Sequence, residues 1–431
     1  MKDYHLLRTK PNHQPFKRGD LLVLFGELFN RGYANGLVEE AEKCGMTIVR
    51  ATVGRRDENG NLRSLTPQES ENIPKPFINL PLEAGFDLER DEQGLSPVDY
   101  LKNVKLSDWE NIKFDESSLQ QSLKKGRARF ELQTKEFLLE VEKYLTPGCH
   151  VHFAHLMAGG VPRCKIVMPV MNRVFKGVGD RFINSKIFWD SGLGRLLQLN
   201  FHEVTAQTFN TLIDASSEFR KKVELQNGHV SYVAYGYHGT EIVVSNEFKW
   251  QSYAPYIQGW AKIDLENFSK YWSQKGVSCC VYNCPEILTN SSSIFQGVEI
   301  PLYNLIRAFE IQCPDSPMTT KIKEDCKAVL NKGVEFKEIF QIVDDFLNSP
   351  ETKKTSIYEN WPQHSLKEQL ALALETSAKM ISLHKDEKVL MTFPLSELIF
   401  RACGYVMLHD GKKPQFPVAW IGHDVVASCL E

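Results

Sequence analysis

No stretch of the 431 residues approaches the roughly 20 consecutive apolar positions that a membrane-spanning helix requires. The opening residues 1–20 are polar, basic and interrupted by proline. They lack both the apolar segment of about 7–15 residues and the small-residue cleavage site of a secretory signal. An excess of one charge is also missing, since 51 Lys plus Arg face 54 Asp plus Glu for a formal net charge of −3. Without concentrated positive charge the chain is not a generic nucleic-acid binder, and without charge runs it has no solvating tail. There is no internal repeat and no low-complexity segment. Ten cysteines scattered over this length make a poor disulfide framework, so reduced thiols and a cytoplasmic location are expected. No Gly-x-Ser-x-Gly elbow and no P-loop occur, which leaves serine hydrolysis and phosphoryl transfer without support.

What is present is an ordinary globular composition, 42% apolar and 24% charged, arranged as strands alternating with helices. Asp20–Gly26 is a continuous apolar run of the kind buried on both faces of a parallel sheet. A helix over Tyr33–Lys43 with a stop at Gly45, and a second strand at Met46–Val53, complete a βαβ-type unit. Further strands are expected at Phe77–Leu82, His150–Leu156, His229–Tyr237 and Val277–Tyr282. A long helix over Glu116–Leu145 and helical patterns near 193–225 and 256–275 lie between them. The alternation predicts a doubly wound, Rossmann-type α/β sheet over residues 15–310. Residues 311–431 read as a mainly helical C-terminal extension, with one strand-like piece at Pro417–Ile421.

Two clusters of metal-ligating residue types carry no metal site on this reading. Neighbouring Cys279 and Cys280 on a strand point to opposite faces, so with Cys284 they cannot easily share a tetrahedral ion. His150, His152 and His155 lie on a strand without an acidic or cysteine partner at an interpretable spacing.

The turn after the first strand runs Gly26-Glu-Leu-Phe-Asn-Arg31-Gly32-Tyr33-Ala34-Asn35-Gly36-Leu37. Its glycines would let a pyrophosphate approach the start of the following helix, although the spacing is not G-x-G-x-x-G. Charge then bears on the cofactor. The second strand ends without an acid for the ribose hydroxyls of NAD and continues instead Val53-Gly54-Arg55-Arg56. Those two guanidiniums, with Arg31 in the turn, suit a 2′-phosphate, so NADPH is expected over NADH. Small residues at Met157-Ala158-Gly159 after the fourth strand would admit a cofactor ribose.

The pattern G-x5-[GS]-x-A-x-G-[IL] resembles the nucleotide turn of the enoyl-acyl carrier protein reductases, within the short-chain dehydrogenase/reductase superfamily. Leu156-Met157-Ala158 is similar to the Ser-Leu-Ala of those enzymes. Tyr237-His-Gly resembles the Tyr-x-Gly after their equivalent strand. Tyr253-x8-Lys262 resembles the Tyr-x8-Lys of the FabV-type trans-2-enoyl reductases, and Ser291–Arg307 resembles that branch's helix after the sixth strand. The resemblance covers about residues 20–310. It implies a dinucleotide bound at Gly26, Arg31, Gly32, Tyr33 and Gly36, and reduction of an enoyl thioester carried by acyl carrier protein or coenzyme A in fatty acid metabolism. It also implies that the C-terminal extension lies where substrate lids occur.

Spacing ranks the tyrosines. Nine positions separate Tyr253 from Lys262, which puts them on opposite faces of one helix, so they meet only if Tyr253 precedes the helix. Pro255 in the first turn would arrange that. Tyr256, six positions away, is the second candidate, and Tyr237 would supply another phenol near the substrate carbonyl. A phenol beside an ammonium can stabilise the oxyanion that follows hydride addition. Two other functions stay open at this point: a carbonyl reductase using the same Tyr and Lys, and a catalytically inactive dinucleotide-sensing interaction protein.

Overall fold

Seven parallel strands form the centre of the molecule in a computed structural model that describes residues 5–251, 258–289 and 297–430. They are β1 (Leu21–Glu27), β2 (Thr47–Thr52), β3 (Phe77–Pro81), β4 (His150–His155), β5 (His229–Gly236), β6 (Cys279–Asn283) and β7 (Val418–Trp420). Their order across the sheet is β7-β6-β5-β4-β1-β2-β3. The chain thus starts in the middle, builds outward to one edge, and returns to build the other side. This is the doubly wound Rossmann-type topology, with its switch point between β1 and β4.

Both faces of the sheet are covered, which explains why β1 reads as an unbroken apolar run. Leu22 and Leu24 face a core shared with α1 (Tyr33–Lys43) and the C-terminal helices. Leu21, Val23 and Phe25 face the helices at Glu116–Glu142, Thr208–Ala215 and Gly259–Gln274. Cys280 belongs to the first core and Cys279 to the second, the opposed orientation that strand pleat requires. His150 and His152 share the Ser231 hydroxyl, at 3.1 and 2.7 Å, as buried neutral partners.

Beyond residue 300 the chain is mainly helical, but it does not sit apart from the sheet. The helix Thr392–His409 crosses α1 so closely that a Cβ on Gly36 would lie 1.7 Å from the Phe400 carbonyl oxygen. Gly404 makes the reciprocal approach to the Gly36 backbone. The chain then supplies β7 beside β6, and residues 5–7 run along β7 through Leu7 N–H to Trp420 O (3.0 Å) and Trp420 N–H to His5 O (3.1 Å). Two short hairpins escaped the strand pattern, Arg55–Arg56 with Leu62–Arg63 and Thr240–Val244 with Glu247–Gln251. Among the described residues no helix is long and apolar enough to cross a membrane.

Candidate active site

In an open α/β sheet, ligands bind outside the carboxyl ends of the strands at the switch point. Here the ends of β1 and β4 are drawn together by Gly26. Its φ is +124°, and a Cβ there would lie 3.1 Å from both Leu156 Cβ and Met157 Sδ. The Leu156 N–H donates to Phe25 O at 2.9 Å, closing the seam. The turn after β4 is held from behind. The Thr205 hydroxyl donates to Gly159 O (3.2 Å), and the Asn200 side-chain amide donates to Gly160 O (2.8 Å). Thr205 lies in a π-helical turn, His202–Gln207, a distortion often found at functional sites. Met157 is buried, Ala158 is exposed, and the position a Gly159 Cβ would take is open space.

The start of α1 is free of side-chain caps. Gly32 occupies the cap position and offers no side-chain cap, no acid stands in the first turn, and nothing among the described residues lies within 4 Å of a Cβ built on Gly32. Asn35 shapes the turn by donating from its side chain to Phe29 O (3.0 Å) and Gly32 O (3.1 Å). A helix start without a side-chain cap, at the positive end of the helix dipole, suits an anion. Arg31 borders it. Its guanidinium lies 3.7 Å from the centre of the Phe393 ring, and its Nη2 is buried without a hydrogen-bond partner among the described residues. These groups fit the pyrophosphate of a dinucleotide. Gly36 serves the helix crossing with Phe400 and Gly404, and that contact accounts for its lack of a side chain.

The electrostatics at the end of β2 differ from the sequence expectation. Glu27, the last residue of β1, reaches over and accepts from Thr52 Oγ1 (2.7 Å) and Val53 N–H (3.3 Å). It therefore places a carboxylate at the very end of β2. Arg55 clamps it with two hydrogen bonds of 3.0 Å. Burial opposes ionisation of Glu27, but the Arg55 guanidinium and Thr52 hydroxyl together hold its carboxyl below the ordinary value. Arg56 is turned away, paired with Glu83 at 2.7 Å and donating to Gly60 O at 2.8 Å. The acid sought at the end of β2 comes from β1, one residue after the turn glycine.

Lys262 lies in the first turn of the helix Gly259–Gln274, and its Nζ donates to Tyr235 O at 2.6 Å. Burial lowers its pKa to about 8. The Tyr235 ring stacks on Tyr33, with centroids 5.6 Å apart, and Tyr33 donates its hydroxyl to Pro285 O at 2.5 Å. Tyr237, just beyond β5, donates to the Glu286 carboxylate, just beyond β6. Gly26, Gly32, Tyr33, Met157, Tyr237 and Lys262 thus lie about the carboxyl ends of the central strands. Tyr253 and Tyr256 lie outside the described residues. Glu27, Asn283 and Glu286 were not foreseen. Glu27 directly follows the turn glycine and Glu286 closely follows a strand, signals as weak as any acid near a strand end.

A trio elsewhere, His13, Cys44 and His409, brings ligand atoms within 4.8 Å of one another. Both ring nitrogens of His409 are engaged, Nδ1 by Gln14 N–H and Nε2 by Glu40, each at 3.0 Å.

Comparison with known proteins bears on this arrangement. The family model described as enoyl-acyl carrier protein reductase FabMG matches residues 3–430. A solved structure described as apo FabMG, a novel type of enoyl-acyl carrier protein reductase, is 40% identical with a TM-score of 0.96. The match covers 100% of this chain and 98% of that one. A second, described as the NADH-bound structure of FabMG, is 36% identical with a TM-score of 0.80 over 100% and 99% of the two chains. No curated protein matches the chain. The FabV-type branch is not singled out by these matches. The expectation of NADPH is overturned, because the relative at 36% identity was solved with NADH. The physical reason lies in the charge pairing: Arg55 is held by the Glu27 carboxylate and Arg56 by Glu83, so both guanidiniums already have anionic partners within the protein.

Proposed function

The chain belongs to the FabMG family of enoyl-acyl carrier protein reductases, NAD(P)H-dependent oxidoreductases that reduce enoyl thioesters, and from that premise we propose how its own residues divide the work. The cofactor is NADH, and the substrate is a 2,3-enoyl thioester on acyl carrier protein. When bound, the reduced dinucleotide supplies the hydride. The uncapped start of α1 and the Arg31 guanidinium hold its pyrophosphate. Glu27 receives the adenosine ribose hydroxyls and repels a 2′-phosphate, with Arg55 keeping the carboxylate ionised and aimed. The turn at Met157-Ala158-Gly159 admits the second ribose.

The observation that carries the reading is the buried Lys262 ammonium, fastened to the end of β5 by Tyr235 O at 2.6 Å. An ammonium held there, in a site poor in water, steadies a ribose hydroxyl and lowers the pKa of a neighbouring phenol. Tyr253 supplies that phenol to the thioester oxygen, with Tyr256 as second candidate, and Tyr237 completes the carbonyl pocket. A hydrogen-bond donor aimed at the developing oxyanion stabilises it more in the transition state than in the substrate.

The test is oxidation of NADH and NADPH by the purified protein with a crotonyl thioester and a panel of ketones. Turnover of the thioester with NADH is the expected result. Turnover of ketones alone would mark a carbonyl reductase, and binding of NADH without turnover of anything would mark a sensor.

A further inference from the structure

Resting on the enoyl reductase reading above, we propose that Glu286 is a positioning residue that acts through Tyr237 as the proton reservoir of the reaction. The hydrogen bond from Tyr237 to Glu286 is held in place from both sides. In the β5–β6 ladder Gly236 lies opposite Asn283, so Tyr237 and Glu286 leave the sheet from adjacent strand ends. The Asn283 side-chain oxygen accepts from His238 N–H at 2.7 Å, and its amide donates to Glu266 at 2.9 Å. A Cβ on Gly236 would lie 2.1 Å from that oxygen, so the chain on either side of Tyr237 is pinned. On the other side, Tyr33 pins the Glu286 loop through Pro285 O. Tyr33 opens α1 directly after the glycine turn, so the loop carrying Glu286 is tied to the cofactor end of the site.

The surroundings suit a reservoir. Glu286 is only partly exposed, and that burial pushes its carboxyl up to about 7. The hydrogen bond from Tyr237 works against that shift, and the Glu299 carboxyl, from the helix Glu299–Leu302, adds to it. A carboxyl poised near neutrality gives up a proton and regains it at similar cost.

In the step, hydride delivered to C3 of the enoyl thioester moves the C2=C3 π pair onto the thioester as an enolate. With Glu286 protonated, the Tyr237 hydroxyl turns to the enolate oxygen and gives up its proton there, while the Glu286 carboxyl becomes the donor across the same contact and passes its proton to the Tyr237 oxygen. The enol tautomerises to the saturated thioester, and solvent water reprotonates Glu286. The sum is enoyl thioester plus NADH plus one proton giving acyl thioester plus NAD⁺.

Glu286→Gln keeps size and a hydrogen-bond acceptor for Tyr237 but carries no transferable acid proton. Its kcat should fall by about 10²-fold, the low end for lost acid–base assistance. NADH affinity and KM for the thioester should stay within about twofold, the limb of the kcat–pH profile near neutrality should vanish, and Glu286→Asp should restore part of the rate. Combining it with Tyr237→Phe should cost little more than either alone, as for two members of one relay. Unchanged kcat and pH profile in Glu286→Gln would overturn the proposal, and so would a loss matched by equal losses in NADH affinity and thermal stability. If the wild-type protein reduces no enoyl thioester, the functional reading fails instead. Infrared titration of the ligand-free protein then judges the pair separately. A carboxyl band that titrates near neutrality, disappears in Glu286→Gln and shifts in Tyr237→Phe supports it, and its absence overturns it.

Discussion

The Lys262 ammonium donates to the Tyr235 main-chain carbonyl at 2.6 Å, joining the helix after β5 to the end of β5 itself. Because the acceptor is backbone, no substitution at position 235 removes it. The ring of Tyr235, meanwhile, stacks on Tyr33 at the start of α1. One residue therefore ties the lysine on one face of the sheet to the glycine turn on the other.

The lysine makes a pH prediction with a definite sign. Its pKa falls from 10.5 to about 8 on burial. The folded protein thus sheds this proton before the unfolded chain does, and the group's contribution to stability rises between about pH 8 and 10.5. Activity that needs the ammonium should fall over the same interval. Urea midpoints and kcat/KM measured from pH 7 to 10 should move in opposite directions. Lys262→Met should abolish the lysine's part of both trends.

Glu27→Ala removes the carboxylate at the end of β2 and frees Arg55. Hydrogen bonds to charged groups contribute about 1.5–3 kcal/mol, so NADH affinity should weaken about tenfold or more. NADPH affinity should hold or improve, and the ratio between the two cofactors should shrink. Fluorescence titration of both cofactors checks this.

At the crossing of α1 with the helix Thr392–His409, Gly36→Ala places a methyl group 1.7 Å from the Phe400 carbonyl oxygen. Two helix backbones must separate to admit it. The expected loss is about 3 kcal/mol, the upper part of the usual range for overpacking, read as a lowered urea midpoint. Gly404→Ala should cost a similar amount, and the double variant less than the sum, because the first opens the gap for the second.

Tyr253→Phe should lower kcat by roughly 10²–10³, the effect of removing one oxyanion donor, while NADH affinity stays within about twofold. Full activity in Tyr253→Phe with loss in Tyr256→Phe would pass the role to Tyr256. Steady-state kinetics on both variants decides between them.

Much of the architecture was legible because it rests on local rules. The run Leu21–Phe25 suited a strand buried on both faces and is one, and the Tyr33–Lys43 helix ended where a glycine at Gly45 predicts. The alternation of strands and helices sufficed for the parallel, doubly wound sheet, and even the short piece at Pro417–Ile421 proved to contain β7. What patterning could not carry was which strand β7 pairs with, since that is settled across more than 130 positions by a ladder with β6.

The site divides along the same line. Glycines and a lysine at set distances from strand ends were visible because turns and helix starts are short-range features. The charge balance was not. Arg55 and Arg56 read as free phosphate ligands until the fold brought Glu27 and Glu83 to them, 28 and 27 positions away in sequence. Glu286 gained its partner in the same way, from Tyr237 on the adjacent strand end. Sequence alone determined the strands of the central sheet, the helices that flank them and where the chain can turn tightly, because backbone conformation and apolar period are local. Only the tertiary structure decided which charges meet and which lose water. Coulomb energy and desolvation depend on distance through space, and distance along the chain does not report it.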